Sequence, residues 1–174
     1  MHIIGTGLTG LIGTRLTELL HSTYRFDFIN LENGVNILDR QKVEQAISSS
    51  KAKVVLHMAA KTNVDGCELD KHRDLEILGF KNKEEKEEAW QNEQTAYAVN
   101  VFGTQNMIGA CKKNNKKLIY ISTDFVFDGT KKHYNEDDKP NPLNWYAKTK
   151  YEGEKLVQDS GLEYLILRKK ERST

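Results

Sequence analysis

The sequence predicts an α/β protein, a doubly wound parallel sheet in three layers, α/β/α. Three observations carry that expectation. Short β-rich apolar runs alternate with amphipathic stretches along the 174 residues. Two of those runs, Val54-Val55-Leu56 and Leu118-Ile119-Tyr120-Ile121, are apolar on both alternating faces, as strands covered from both sides must be. The first run ends in a glycine-rich turn that opens an amphipathic helix.

Taken in order, residues 2–6 read as the first strand and 11–21 as the first helix. Strand 25–29, helix 41–49 and strand 53–57 follow. From 71 to 93 the composition turns to Lys, Glu, Asn and Gln, including Lys81-Asn82-Lys83-Glu84-Glu85-Lys86-Glu87-Glu88; this reads as a charged, solvated helical insertion pinned by Leu75, Ile77, Leu78, Phe80 and Trp90. A long helix is expected over about 92–113, a strand over 117–122, a helix over 144–158 and a last strand over 163–167. Pro140 and Pro142 both fall in the turn-rich segment before that last helix, which reads as a positioned loop. Such alternation implies parallel strands joined by crossover helices, in one domain spanning 1–174.

Composition excludes several classes of function. With 26 basic and 25 acidic residues and a net charge of +1, no charge field points to nucleic acid or an anionic membrane. Cys67 and Cys111 sit in no metal-binding or disulfide spacing, so buried or incidental thiols and no metal are expected. No apolar run approaches the roughly 20 residues that span a bilayer, and the chain starts directly in a strand, so the expected location is cytoplasmic.

Gly5-Thr6-Gly7-Leu8-Thr9-Gly10-Leu11-Ile12-Gly13 contains GxGxxG from Gly5 and GxxGxxG from Gly7. A backbone that turns tightly, passes close to a pyrophosphate and opens a helix towards it needs glycine at such positions, so Gly7, Gly10, Leu11, Ile12 and Gly13 are candidate cofactor contacts. A ligand-free glycine turn is the alternative; its place after the first strand, at the carboxyl edge of a Rossmann-like sheet, favours a dinucleotide. The second strand ends at Asn30, where a carboxylate often holds ribose hydroxyls. Neutral Asn30 accommodates NADH or NADPH, with Glu32 nearby either facing a 2′-phosphate or simply exposed.

Tyr146 and Lys150 stand four residues apart, hence on one helical face. An ammonium near a phenol favours the phenolate, so Tyr146 could exchange a proton with a carbonyl or alcohol while Lys150 also holds a ribose hydroxyl. A bare YxxxK can equally be a surface pair. Ser122-Thr123-Asp124, at the end of the fourth strand, adds hydroxyls and a carboxylate on the edge where the glycine turn lies. Thr123 is the natural partner for a substrate oxygen, against simple turn formation; Asp124 contacts substrate hydroxyls or caps a turn. His57, inside an apolar run, reads as a hydrogen-bonded core histidine.

With these residues placed, the chain resembles the extended short-chain dehydrogenase/reductase family, in particular its dTDP-4-dehydrorhamnose reductase branch. The strings that carry the likeness are Thr6-Gly7-Leu8-Thr9-Gly10-Leu11-Ile12-Gly13, Asn36-Ile37-Leu38-Asp39, Ala59-Ala60-Lys61-Thr62-Asn63-Val64-Asp65 and Ala98-Val99-Asn100-Val101-Phe102-Gly103-Thr104. Ile121-Ser122-Thr123-Asp124-Phe125-Val126-Phe127-Asp128-Gly129 and Pro142-Leu143-Asn144-Trp145-Tyr146-Ala147-Lys148-Thr149-Lys150 follow in the branch's order. The resemblance implies that Gly10, Leu11 and Ile12 touch the pyrophosphate, Asn30 the ribose, Asn36 and Ile37 the adenine, and Ala60, Lys61 and Thr62 the middle of NADPH or NADH. It also implies a catalytic set of Thr123, Tyr146 and Lys150, with Asp124 beside the substrate.

Asn30 and Asn36 depart from the branch's usual residues, and Phe125 stands where tyrosine is common. After the strand near 164–168 the chain closes with Lys169-Lys170-Glu171-Arg172-Ser173-Thr174, where family members continue; the small C-terminal substrate domain is expected to be mostly lacking. The resemblance implies NAD(P)H-dependent reduction of a 4-keto group on a nucleotide-linked deoxysugar, with a homodimer as one form. The alternatives are an epimerase or dehydratase of the same family, against which Phe125 after Asp124 speaks, and a non-catalytic nucleotide-binding regulatory subunit.

Overall fold

A computed structural model describes residues 1–170. Five parallel strands, β1 (His2–Thr6), β2 (Arg25–Ile29), β3 (Val54–His57), β4 (Lys117–Thr123) and β5 (Tyr164–Lys169), form one sheet in the order β2-β1-β3-β4-β5. The chain winds one way from β1 to β2 and the other way from β3 to β5, which opens a crevice at the carboxyl edge beside β1 and β3. Register is continuous across the centre: Gly5 pairs with Leu56, Leu56 with Ile119 and Ile119 with Leu165.

Strand residues alternate between two apolar clusters, as a period of two requires. Ile4, Val55, Leu118 and Tyr120 enter the larger one, shared with α2 (Arg40–Ser49), α5 (Gly103–Lys113) and α6 (Trp145–Gln158). Ile3, Leu56, Ile119 and Ile121 point the other way, to a smaller cluster whose helical partner is α1 (Leu11–Leu20), through Leu16. That second layer covers only part of its face. Leu165 and Leu167 remain 50% and 46% exposed in β5, and Leu11 of α1 is 93% exposed.

Two segments differ from the sequence-based expectation. Residues 71–93 hold the second half of α3 (Val64–Leu78) and all of α4 (Lys83–Asn92). Helix α3 starts earlier than its charged composition suggests because Asn63 caps it, accepting from Gly66 N, with Asp65 in the first turn. Ile77 is fully buried and Trp90 stacks on Tyr97 at 5.1 Å, whereas Leu75, expected to pin the segment, is 51% exposed. The single helix expected over 92–113 is broken. Helix α4 stops at Asn92, and a new helix starts near Ala96 because Asp70 and Asp74, reaching over from α3, accept from Ala96 N (2.8 Å) and Tyr97 N (3.0 Å). It passes through a π turn, Ala98–Phe102, into α5.

The last strand runs on to Lys169, so the tail read at 169–174 begins inside β5; residues 171–174 lie outside the described residues. Both cysteines are buried thiols, and burial pushes Cys67 up to about 11 and Cys111 up to about 12. Among the described residues no helix is long and apolar enough to cross a membrane, and no group of three or more His, Cys, Asp or Glu is placed to hold a metal ion.

Candidate functional site

A groove of about 810 Å³ lies along the carboxyl edge of β1 to β4, within the size range of small-molecule sites. Its floor begins at the glycine turn, where the glycines do different work. Gly7 has φ +68°, and a Cβ there would lie 2.6 Å from Ala59 N; a Cβ on Gly13 would lie 2.4 Å from Gly7 O. Gly7 and Gly13 therefore let strand, turn and helix touch, and Gly13 does not line the groove. Gly10 differs: it has ordinary φ, and an added Cβ meets only Gly7 O at 3.3 Å. It is the N-cap of α1, no side chain caps that helix, and Gly10, Leu11 and Ile12 all line the groove. An uncapped helix N-terminus at a cleft suits an anion.

Asn30, Asn36 and Ile37 line the groove beyond β2, with Glu32 beside them. The amide oxygen of Asn30 accepts from Asn33 N at 2.9 Å and that of Asn36 from Leu38 N at 3.0 Å. Local turns thus use both acceptors, which leaves each side chain its amide N–H₂ for a ligand.

The middle of the groove is shaped by residues 58–62. Ala60 and Thr62 line it; Lys61 does not. The Lys61 ammonium turns outward to Asp70 (2.6 Å) and to Gln94 O (3.0 Å). Its backbone is clamped by Asn100, whose side chain accepts from Lys61 N (2.8 Å) and donates to Lys61 O (3.1 Å) and to Thr149 Oγ1 (2.9 Å). Asn100 sits in the π turn, and sequence reasoning assigned it no role; an amide inside the apolar run Ala98 to Phe102 was the available signal. Below it, His57 bonds Thr6 Oγ1 (2.7 Å) and Thr104 Oγ1 (3.0 Å). Thr104 gives its own proton to Asn100 O, so it accepts from His57 Nε2 and the ring is the neutral Nε2–H tautomer. Burial, with Lys150 nearby, pushes His57 down to about 3. It is a core histidine.

At the far end Tyr146 and Lys150 both line the groove, only 4% and 2% exposed. The Tyr146 ring meets the edge of Phe125 at 6.1 Å. The Lys150 ammonium donates to Ile121 O at 2.8 Å and lies 4.2 Å over the Tyr120 ring. Burial pushes it down to about 7, opposed by Glu154. Thr123 and Asp124 do not line the groove: Thr123 is buried, and its Oγ1 accepts from Phe125 N at 3.2 Å, capping the 3-10 turn Asp124–Val126. Ser122 lines this end, and its buried Oγ has no partner among the described residues.

Sheet order, glycine turn and edge groove together define a Rossmann-type α/β protein. The chain belongs to the RmlD substrate binding domain family, whose model matches residues 1–84 and 80–170. The dTDP-4-dehydrorhamnose reductase of Aggregatibacter actinomycetemcomitans is 33% identical over 165 residues, covering 94% of this chain and 49% of that protein. Methionine adenosyltransferase 2 subunit beta of Bos taurus is 37% identical over 173 residues, covering 95% of this chain and 45% of that protein. The crystal structure of dTDP-4-dehydrorhamnose reductase from Bacillus anthracis, in complex with NADP, aligns with TM-score 0.78 and 31% identity, over 97% of this chain and 53% of that one. The chain thus spans about half the length of the relatives it matches.

Proposed function

We propose that the groove holds NADPH or NADH and that the chain is the cofactor-holding part of a reductase for a 4-keto group on a nucleotide-linked deoxysugar. The observation that carries the reading is the placement of buried Tyr146 and Lys150 at one end of a groove that also takes in an uncapped helix N-terminus at Gly10. Reductase relatives, one of them complexed with NADP, point the same way. Gly7, Gly10, Leu11 and Ile12 would receive the pyrophosphate, with Gly13 supporting the turn from behind. The Asn30 and Asn36 amides would donate to the adenosine end, and Ala60 and Thr62 would line the middle, on the loop that Lys61 anchors. When bound, the nicotinamide supplies hydride to a carbonyl carbon.

The protein's task at that carbonyl is the proton. Tyr146 would give it to the developing alkoxide as general acid, with Ser122 orienting the oxygen; Thr123 and Asp124, which lie outside the groove lining, would take part only once a bound sugar drew their turn towards it. Lys150 would hold the nicotinamide ribose as an ammonium. Fluorescence titration with NADPH and NADH tests the site: Gly10→Val, whose Cβ would meet Gly7 O at 3.3 Å and no other atom within 4 Å, should weaken binding at least tenfold, about 1.4 kcal/mol. Unchanged affinity would overturn the assignment. With dTDP-4-keto-6-deoxyglucose as substrate, turnover that Tyr146→Phe leaves intact would remove Tyr146 from the acid role.

A second reading rests on the relatives named as a subunit of methionine adenosyltransferase, 37% identical in Bos taurus. In it the groove binds a nucleotide and the chain regulates a partner enzyme. Tight cofactor binding without oxidation by any keto sugar would favour it over the first.

A further inference from the structure

A buried ion pair lies directly behind the proposed acid/base end of the groove. Glu154 follows Lys150 on α6 by four residues, as Lys150 follows Tyr146, so the three lie in one row along the helix. Glu154 is fully buried, and its carboxylate is gripped from β5 by Arg168, Nε at 3.0 and 3.3 Å and Nη2 at 2.8 Å. The Arg168 guanidinium in turn lies 5.0 Å over the Phe127 ring.

Pinning α6 to β5 is one use of such a pair, but a fully buried carboxylate next to a buried ammonium also sets a field. Lys150 lies over the Tyr120 ring of β4, bears on neutral His57 of β3, and stands one helical turn from Tyr146 and from Glu154; β5, which carries Arg168 and Lys169, and the 3-10 turn, which carries Asp124, pack against the same helix. Of these, Glu154 is the fully buried anion. The Lys150 ammonium also meets the Ile121 carbonyl and the Tyr120 ring face, which replace water only in part.

We propose that Glu154 and Arg168 act as a positioning pair that sets the charge on Lys150: Glu154 sustains the ammonium, and Arg168 holds that influence down by neutralising part of it. The consequence for function rests on the cofactor reading above, since an ammonium holds a ribose hydroxyl as a donor and a neutral amine holds it more weakly. At constant fold the two partners pull Lys150 in opposite directions. Removing Glu154 takes away the anion and leaves Arg168 uncompensated, so Lys150 loses its proton at lower pH. Removing Arg168 frees the field of Glu154, so Lys150 keeps its proton to higher pH. A merely structural pair gives no such opposition.

The test follows the titration of Lys150 by NMR of the full chain labelled at lysine Cε, with its resonance assigned from the peak lost in Lys150→Met. Glu154→Gln should lower the titration midpoint by about one pH unit, Arg168→Met should raise it by a similar amount, and the double variant should return within about half a unit of the parent. Arg168→Lys keeps the charge and should leave the midpoint in place even if it costs stability. Should Glu154→Gln not fold, the Arg168→Met and Arg168→Lys pair alone decides. Midpoints that move in the same direction, or that stay put in the folded single variants, would overturn the pair's role. NADPH affinity measured across the same pH range separates the two claims: midpoints that shift while affinity ignores them leave the pair standing and remove Lys150 from the cofactor site.

Discussion

At the scale of single residues, the site depends on groups whose ordinary charge the fold suppresses. His57 is neutral in the folded protein because full burial, with Lys150 nearby, lowers its pKa to about 3 against 6.5 in the unfolded chain, while Thr6 and Thr104 occupy both ring nitrogens. Between those values the unfolded state binds the extra proton, so the stability that His57 allows is fully present above about pH 6.5 and is lost as the pH falls towards 3. Urea melts between pH 6.5 and 4 should therefore show a loss steeper in the parent than in His57→Asn by up to about 1.4 kcal/mol per pH unit. Parallel curves would mean that His57 does not titrate in this way. The Gly10 and Tyr146 roles proposed above belong to the same scale, because each rests on one side chain or its absence at a groove that backbone alone has placed.

At the scale of elements, the middle of the molecule is held by helix ends that bond across elements. Asp74 of α3 accepts from Tyr97 N at 3.0 Å and from Trp145 Nε1 at 2.7 Å, thereby starting the helix that carries Asn100 and fixing the first turn of α6, which carries Tyr146. The carboxylate is fully buried, which raises its pKa, against the pull of those donors. Asp74→Ala leaves two donors without partners and should cost about 2–4 kcal/mol, read from the urea midpoint, while Asp74→Asn keeps one acceptor and should cost less than half of that. Equal losses in both would show that the charge, and not the acceptor, holds the junction. This joint was hidden in the sequence. Asp74 stands in a charged stretch read as solvated, and nothing local marks a carboxylate that will meet residues 23 and 71 positions further on.

At the scale of the whole molecule, the two faces of the sheet are unequally covered. One carries α2, α5 and α6 over the main core; among the described residues the other carries α1, beside a strip that includes Leu165 and Leu167. A parallel sheet normally hides both faces, so the strip is an apolar surface open to water. Leu11→Glu with Leu165→Glu should lower the fluorescence of the apolar dye ANS, and should change unfolding free energy by less than about 1 kcal/mol, because Leu11 is almost wholly exposed and Leu165 half exposed. A large loss of stability would show that this face is covered in solution.

What the sequence determined by itself was everything that depends on local pattern. Strands β1 and β2 and the starts of α1 and α6 follow within a residue from apolar periodicity and from Gly10 and Asn144 at the helix starts. The glycine turn, the YxxxK spacing and the parallel winding were legible for the same reason. Tertiary structure decided which of these residues meet. It sorted the glycines into Gly10, open to the groove, Gly7, which lines the groove while its φ and close contacts make the turn, and Gly13, committed to packing. It turned Lys61 away to Asp70, set Thr123 to capping a turn, left Ser122 Oγ without a partner among the described residues, and joined Glu154 to Arg168 across α6 and β5. The physical reason is one of range. Periodicity and capping act over a few residues and are written in neighbouring letters, whereas side-chain direction, burial and charge pairing depend on groups brought close only when the sheet is assembled.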